Sequence, residues 1–562
     1  MKSSVSLDDK PITEHVSRIS DDSLNKTDRI HDVMPVLDVE ANDATETEHA
    51  LTIREALKTH TWAVLWSAVM SATIIMEGYD NILIGSFYAY PSFQKKYGQP
   101  THGDETNYQL TGPWQVGLST ASTVGIIITL IFNGWLVEKF GHRQVIMVSL
   151  LLMGAFIFIT FFATSLTHLL IGQILCGIPW GIFATMGPTY SSEIAPLALR
   201  GQLLAYVNMC WAIGQFIAAG VLKGLVENKT QWSYRIPFAV QWVWIPPLFI
   251  LTWLAPDSPW WLVRKGRIED AKKVVRRITN KSIHNQVEAR VALMIRTTEL
   301  EREQERLKSA DKENSGWRAY LRLFQGPNRR RTEIACIAFA GQVLSGSTFA
   351  YSPSYFFSQA GLALSEVYKL NLGTTAIAFT GTLCSWFLLH RFGRRTIYVT
   401  GYAVLVTLLL LIGILAFPAK HSSGVKWAQA AITICWVGTY SLTIGPLAFT
   451  IVSEISATNL RSQSIALARN SYNLCSLISN VVEPYLMNPG NANLKGKTAF
   501  VWFGTAFPTL IWAFFRLPET KGRTYEELDR MFERDVPTRQ FAKYKIEAEE
   551  LHLSPRQSIA IK

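Results

Sequence analysis

A short basic turn occurs twice in this chain, about 250 residues apart. Residues 134–143 read Gly-Trp-Leu-Val-Glu-Lys-Phe-Gly-His-Arg, and residues 390–395 read His-Arg-Phe-Gly-Arg-Arg. Each copy sits between two apolar stretches of about 20 residues, the length that crosses a ~30 Å hydrocarbon core as a helix. A turn that recurs once per half makes the chain two copies of one membrane unit.

The apolar spans fall at roughly 62–84, 114–137, 145–164, 168–190, 203–222 and 235–255, and again at 333–357, 372–390, 396–417, 427–452, 463–486 and 499–516. Twelve spans in two sets of six predict an all-α membrane protein built as two six-helix bundles, 60–255 and 333–516. Residues 1–59 are polar, acidic and poor in aromatics, and read as a disordered tail without a cleavable signal peptide. Residues 256–332 read as amphipathic linker helices, with charged stretches at 268–281 and 286–308, and 517–562 as a second tail.

Half the residues are apolar (49%) and 17% are charged. The net charge of +11 raises nucleic acid as a partner, but the basic residues form no patch with stacking aromatics and no such partner is expected. The charge follows topology instead. Nineteen Lys and Arg lie in 256–332, and the two turns are basic, whereas the loops near 223–229, 418–426 and 488–497 hold about two each. The rule that cytoplasmic loops are basic places these segments and both termini inside. Asn228-Lys-Thr230 is then a sequon on the outer side. All six cysteines fall in apolar segments and read as buried packing residues. No metal-ligand cluster, nucleophile–base constellation or cofactor motif appears, so an enzyme is not expected.

Two further motifs repeat. Glu193 and Arg200 are seven apart at the end of one span, and Glu454 and Arg461 are seven apart at the end of another. That spacing lets each pair share a helix face or bracket a helix end, and pair with the basic turns. Pro256-Asp-Ser-Pro-Trp-Trp-Leu262 and Pro518-Glu-Thr-Lys-Gly-Arg523 close the two halves, where proline stops the helix. We read Glu138, Lys139, Arg143, Glu193, Arg200, Arg391, Arg394, Arg395, Glu454 and Arg461 as a cytoplasmic gate that breaks and re-forms as the bundles rock.

These motifs, with Tyr234-Arg-Ile-Pro-Phe238 and Gly445-Pro446, resemble the sugar porter family of the major facilitator superfamily over about 60–534. Met76-Glu-Gly-Tyr-Asp80, Tyr90–Gly98 and Ala468-Arg-Asn-Ser-Tyr-Asn473 are similar to the fungal maltose and general α-glucoside permeases. The resemblance implies a plasma-membrane carrier, expected as a monomer, whose partners are a sugar, a proton and the lipid bilayer. A passive facilitator for a monosaccharide or polyol is the alternative, and a non-transporting sugar sensor a more distant one.

Glu77 and Asp80 lie three apart in the first span, so they neighbour each other on one face. Carboxylates there are costly to ionise, and one is expected to load a proton from an acidic exterior. Asp80 also matches the family's proton-linked position. Arg469 is the natural countercharge for either acid. Proton-coupled hexose members carry an arginine where this chain has Gln173, and residues 116–130 hold no acid.

The resemblance also places a sugar site. The seventh-span Gln-Gln-x-Ser-Gly-x-Asn pattern is met in part: Gln342 keeps the first amide, Val343 replaces the second, and Thr348 replaces the asparagine. Tyr351 follows. Asn208 stands where the family has a fifth-span glutamine and Phe449 where it has a tenth-span tryptophan, with Tyr472 and Asn473 near eleventh-span contacts. We take these with Gln173 as substrate-binding candidates.

Overall fold

The computed structural model describes residues 51–101, 104–310, 321–359, 361–418, 422–457, 461–521, 523 and 525–544. The spans run Thr61–Phe87, Gly112–Phe140, His142–Phe161, Leu166–Ile194, Leu197–Leu225 and Trp232–Leu254 in the first bundle. Those of the second are Gly326–Ala350, Leu364–Arg391, Arg394–Leu415, Ser423–Ile455, Arg461–Met487 and Thr498–Arg516. We number them first to twelfth. Nine of the twelve are apolar enough over their described residues to cross a membrane, and the second joins them when its bent halves count as one span. The fifth and eleventh do not pass. They carry Asn208 and Gln215, and Arg469, Asn470, Asn473 and Glu483, the polar load of helices that face an interior rather than lipid.

Several helices outrun their apolar cores. Glu138 and Lys139 are still helical, and Glu193 lies in the last turn of the fourth span. The chain then turns extended at Ala195–Pro196, and Arg200 falls on the next helix. The first Glu/Arg pair therefore brackets a helix end and does not share a face. Arg200 and Arg461 lie outside the residues whose side chains are described.

The linker forms the helices Pro259–Arg264, Ile268–Ile278 and Val287–Ala310, the first capped by Ser258, whose hydroxyl accepts the Trp261 N–H. Of the expected disordered tail, Ile53–Thr59 is a helix instead. Thr52 and Glu55 form its reciprocal capping box, which satisfies two orphan amide donors; residues 1–50 lie outside the described residues. An antiparallel hairpin, Gln99–Thr101 with Asp104–Gln109, departs from the all-helical expectation between the first two spans. Cys176 and Cys210 are buried, but Cys384 and Cys435 are exposed, so apolar context alone did not bury them.

Hydrogen bonds joining the bundles cluster at the hairpin face. Ser86 meets Ser354, Tyr368 donates to the Ser86 carbonyl, Gln115 donates to Tyr355 and Asn488 to the Leu110 carbonyl. At the linker face the ion pairs seen among the described residues, such as Arg264–Glu193 and Arg394–Glu454, join groups of one half. The bundles are thus sealed at the hairpin end.

Candidate functional site

The first span reaches the fifth by close backbone approach. A Cβ on Gly78 would lie 2.2 Å from the Trp211 carbonyl oxygen, and one on Gly214 2.1 Å from that of Ile75. Only glycine admits this contact. It fixes the rotation of Ile74–Phe87, and with it the two acids.

That rotation separates them. Asp80 turns into the first bundle, 2% exposed, where its Oδ1 accepts the Gln241 amide at 2.7 Å. Gln173 approaches the same carboxylate from the fourth span. Asp80 Oδ2 and the Gln173 amide nitrogen are both buried without a hydrogen-bond partner. The expectation that Arg469 is the countercharge of Asp80 is corrected: two neutral amides surround this carboxylate.

Glu77 faces the other bundle, within charge-interaction range of Arg469. The Arg469 guanidinium stands over Phe339, Phe449 and Tyr472, at 5.9, 5.7 and 5.4 Å from their ring centroids. These rings meet edge to face, Phe339 against Phe449 at 4.9 Å and against Tyr472 at 6.3 Å. A cation over three ring faces is attracted by their quadrupoles, here at an exposed position. Gln241 and Phe339 were not legible as site residues, since a lone glutamine or phenylalanine on an apolar span carries no spacing signal.

The seventh span breaks at Ser345–Gly346. Just before the break, Gln342 is buried; its Oε1 accepts the Tyr440 hydroxyl at 3.3 Å, while its amide nitrogen has no partner. Beyond it, Tyr351 and Ser441 are hydrogen-bonded at 3.0 Å, and Tyr351 packs on Tyr440. Thr348 instead accepts a hydrogen bond from Ser479 at 2.5 Å, joining the seventh span to the eleventh. Asn208 and Asn473 are half-buried. An unused amide donor beside tyrosines is what a polyhydroxylated ligand needs: hydrogen-bonding groups with flat faces alongside.

The linker face holds two related clusters. In the second half, Glu454 accepts Arg394 Nε at 3.1 and 3.2 Å and Nη2 at 2.9 Å, and Thr520 Oγ1 at 2.5 Å. Glu519 accepts the backbone N–H groups of Arg394 and Arg395. In the first half, Asp257 accepts the backbone N–H of Arg143 at 3.1 Å, the counterpart of Glu519. Burial pushes the Asp257 carboxyl up, and the Arg143 N–H pulls it back. Glu193 pairs with Arg264 of the linker at 2.8 Å and faces His142 at 3.7 Å. His142 occupies the place of Arg394, which the gate assignment passed over.

The other described gate candidates make contacts within their own half. The Glu138 carbonyl accepts the Trp261 indole, Lys139 lies over Trp135, and the Arg391 carbonyl accepts Lys521. Arg395 Nη2 donates to the Phe514 carbonyl. The two turn glycines serve different needs: Gly141 is left-handed (φ +84°), whereas Gly393 has φ −74° and a Cβ there would strike the Glu519 carboxylate.

Two bundles related by repeated motifs, meeting around a polar and aromatic centre and sealed at one face, define a multi-pass carrier of the major facilitator fold. The profile of the Sugar (and other) transporter family matches residues 66–532, and the chain belongs to that family. It is 37% identical over 543 residues to the general alpha-glucoside permease of Saccharomyces cerevisiae, covering 96% of this chain and 86% of that one. It is also 37% identical over 532 residues to the maltose permease MAL31 of the same yeast, covering 93% and 85%. Among solved structures, the xylose transporter XylE from E. coli in a partially occluded inward open conformation superposes with a TM-score of 0.64 at 18% identity, covering 83% of this chain and all of XylE. XylE bound to 6-bromo-6-deoxy-D-glucose gives 0.63 at 19%, covering 84% and 99%.

Proposed function

We propose that this protein imports an α-glucoside of maltose type together with a proton, by alternating access across the plasma membrane, with both termini cytoplasmic. The observation that carries the reading is the division of labour on one helix turn. Asp80 sits among neutral amides with one oxygen unsatisfied, so it favours a proton. Glu77 looks across the bundle boundary toward Arg469 and the aromatic centre. Protonation and sugar binding thus act within one turn of a helix that both bundles hold. The relatives named as alpha-glucoside and maltose permeases support the substrate class.

In this scheme Gln342, Tyr351, Tyr440 and the rings under Arg469 contact the sugar. The clusters at Glu193 and Glu454 act at the cytoplasmic gate. With the hairpin face outside, the conformation here opens inward. The facilitator alternative draws on Gln173, which offers Asp80 no charge to exchange for a proton.

The test is external alkalinisation in weakly buffered cells that express this chain and lack other sugar carriers. Maltose, other α-glucosides, glucose and xylose are added separately. A pH rise with an α-glucoside, absent in Asp80→Asn, is expected. Labelled uptake without a pH change would select the facilitator, and full concentrative uptake by Asp80→Asn would refute Asp80 as the coupling acid.

A further inference from the structure

The eleventh span holds a carboxylate that neither the sugar site nor the coupling site uses. Glu483 is 5% exposed, and its Oε2 accepts the Trp502 indole N–H at 2.7 Å. Its Oε1 is buried with no hydrogen-bond partner. It lies fourteen residues beyond Arg469, about 21 Å along a helix at 1.5 Å per residue, and so toward the hairpin face. Cross-bundle contacts flank it along the same helix, at Asn480 and Asn488, and reach Tyr355 beside it. Ser119 of the second span donates to the Asn480 carbonyl, Asn488 donates to the Leu110 carbonyl, and the Gln115 amide donates to Tyr355.

Tyr355 is the titratable group within charge range of Glu483. Charges on the spans packed against it lie at the other end: Glu138 and Lys139 on the second, Arg329, Arg330, Arg331 and Glu333 on the seventh, Glu454 on the tenth and Arg516 on the twelfth. Lys497, at the start of the twelfth, stands over the Phe417 ring. An ionised Glu483 in the sealed state would thus be a buried charge with one neutral donor and no cation, a strongly unfavourable arrangement.

We propose that Glu483 is a second proton-binding site, one that gates: it takes a proton from the hairpin side when that face is open, and the face seals around the neutral acid. The proton adds to the carboxylate as the seal forms and returns to the same side when it opens. It is therefore not transported, and its role is separate from that of Asp80. The side from which the proton comes rests on the orientation given under Proposed function.

The test reads the seal without transport. Ser354→Cys places a thiol at the cross-bundle contact with Ser86. Its labelling by a membrane-impermeant maleimide, above that of the unsubstituted chain, is compared in intact cells with S354C/E483Q from pH 5 to pH 8. Comparing the two at each pH cancels the thiol's own titration. The rates are expected to match at pH 5, and S354C to label roughly tenfold faster at pH 8, where ionisation of Glu483 opposes sealing. S354C/E483L, uncharged and of similar size, should behave like the glutamine variant even if that variant fails to reach the surface. A ratio constant across the range overturns the proposal, as does a drop in protons moved per sugar in E483Q. Labelling that needs permeabilised cells would instead overturn the orientation, and the pH dependence of the ratio would still decide the role of Glu483.

Discussion

The two linker-face clusters occupy equivalent places but differ in strength, and the difference is measurable. Glu454→Gln removes the charge that receives three Arg394 contacts and the Thr520 hydroxyl. Hydrogen bonds to a charged partner contribute about 1.5–3 kcal/mol. Both side chains are about one-fifth exposed (20% and 18%), so solvent screening brings the expected coupling to about 2 kcal/mol. Glu193→Gln removes a single contact from Arg264, which is 39% exposed. The imidazole of His142 stands beyond hydrogen-bond length at 3.7 Å. That pair should couple by less than ~1 kcal/mol. The assay is a pair of double-mutant cycles, E454Q with R394Q and E193Q with R264Q, read as thermal inactivation half-lives of the purified carrier at one temperature. A difference of about 1 kcal/mol is roughly fivefold in half-life when the contacts are already broken at the barrier. A Glu193–Arg264 coupling equal to or above that of Glu454–Arg394 would refute the reasoning. His142→Arg, which copies the second half into the first, should raise the Glu193 coupling.

Three further outcomes are expected. His60 is buried against Arg290, and burial first, then that guanidinium, hold its pKa down to about 4 from 6.5. The folded state then binds fewer protons than the unfolded one, so stability is lost as pH falls from about 6.5 to about 4, by up to ~3 kcal/mol. Hydrogen-exchange protection factors in Ile53–Thr59 and the linker, referred to the intrinsic exchange rate at each pH, should fall over that window in the wild type and stay level in His60→Asn. Gly214→Val drives a side chain into the Ile75 carbonyl and should abolish surface expression, whereas Gly220→Ala, with open space around it, should not. Gln342→Ala removes the unused amide, and sugar affinity should drop about two- to tenfold, from ~0.5–1.5 kcal/mol per hydrogen bond, in a competition uptake assay.

The sequence alone determined the two-bundle architecture, because apolar length and repeated turns are properties of the chain itself. It also made Glu77, Asp80, Arg469, Gln342 and the Glu454–Arg394 end of the second half visible, since charge and amide side chains on apolar spans are conspicuous. Partners were a different matter. Three-residue spacing put Glu77 and Asp80 side by side, but the glycine contact at Gly78 and Gly214 turned one toward Gln241 and the other toward Arg469. Helix rotation is set by the neighbouring backbone, which spacing does not encode. Seven-residue spacing likewise singled out Glu193, but that folding the linker against the fourth span brings Arg264 to it was not legible there. Asp257, Glu519 and Glu483 acquire meaning only from what surrounds them: a helix N-terminus for the first two, and for Glu483 an indole and a sealed face with no cation. Burial and pairing are decided by distant segments meeting in space, and that is what the tertiary structure alone could decide.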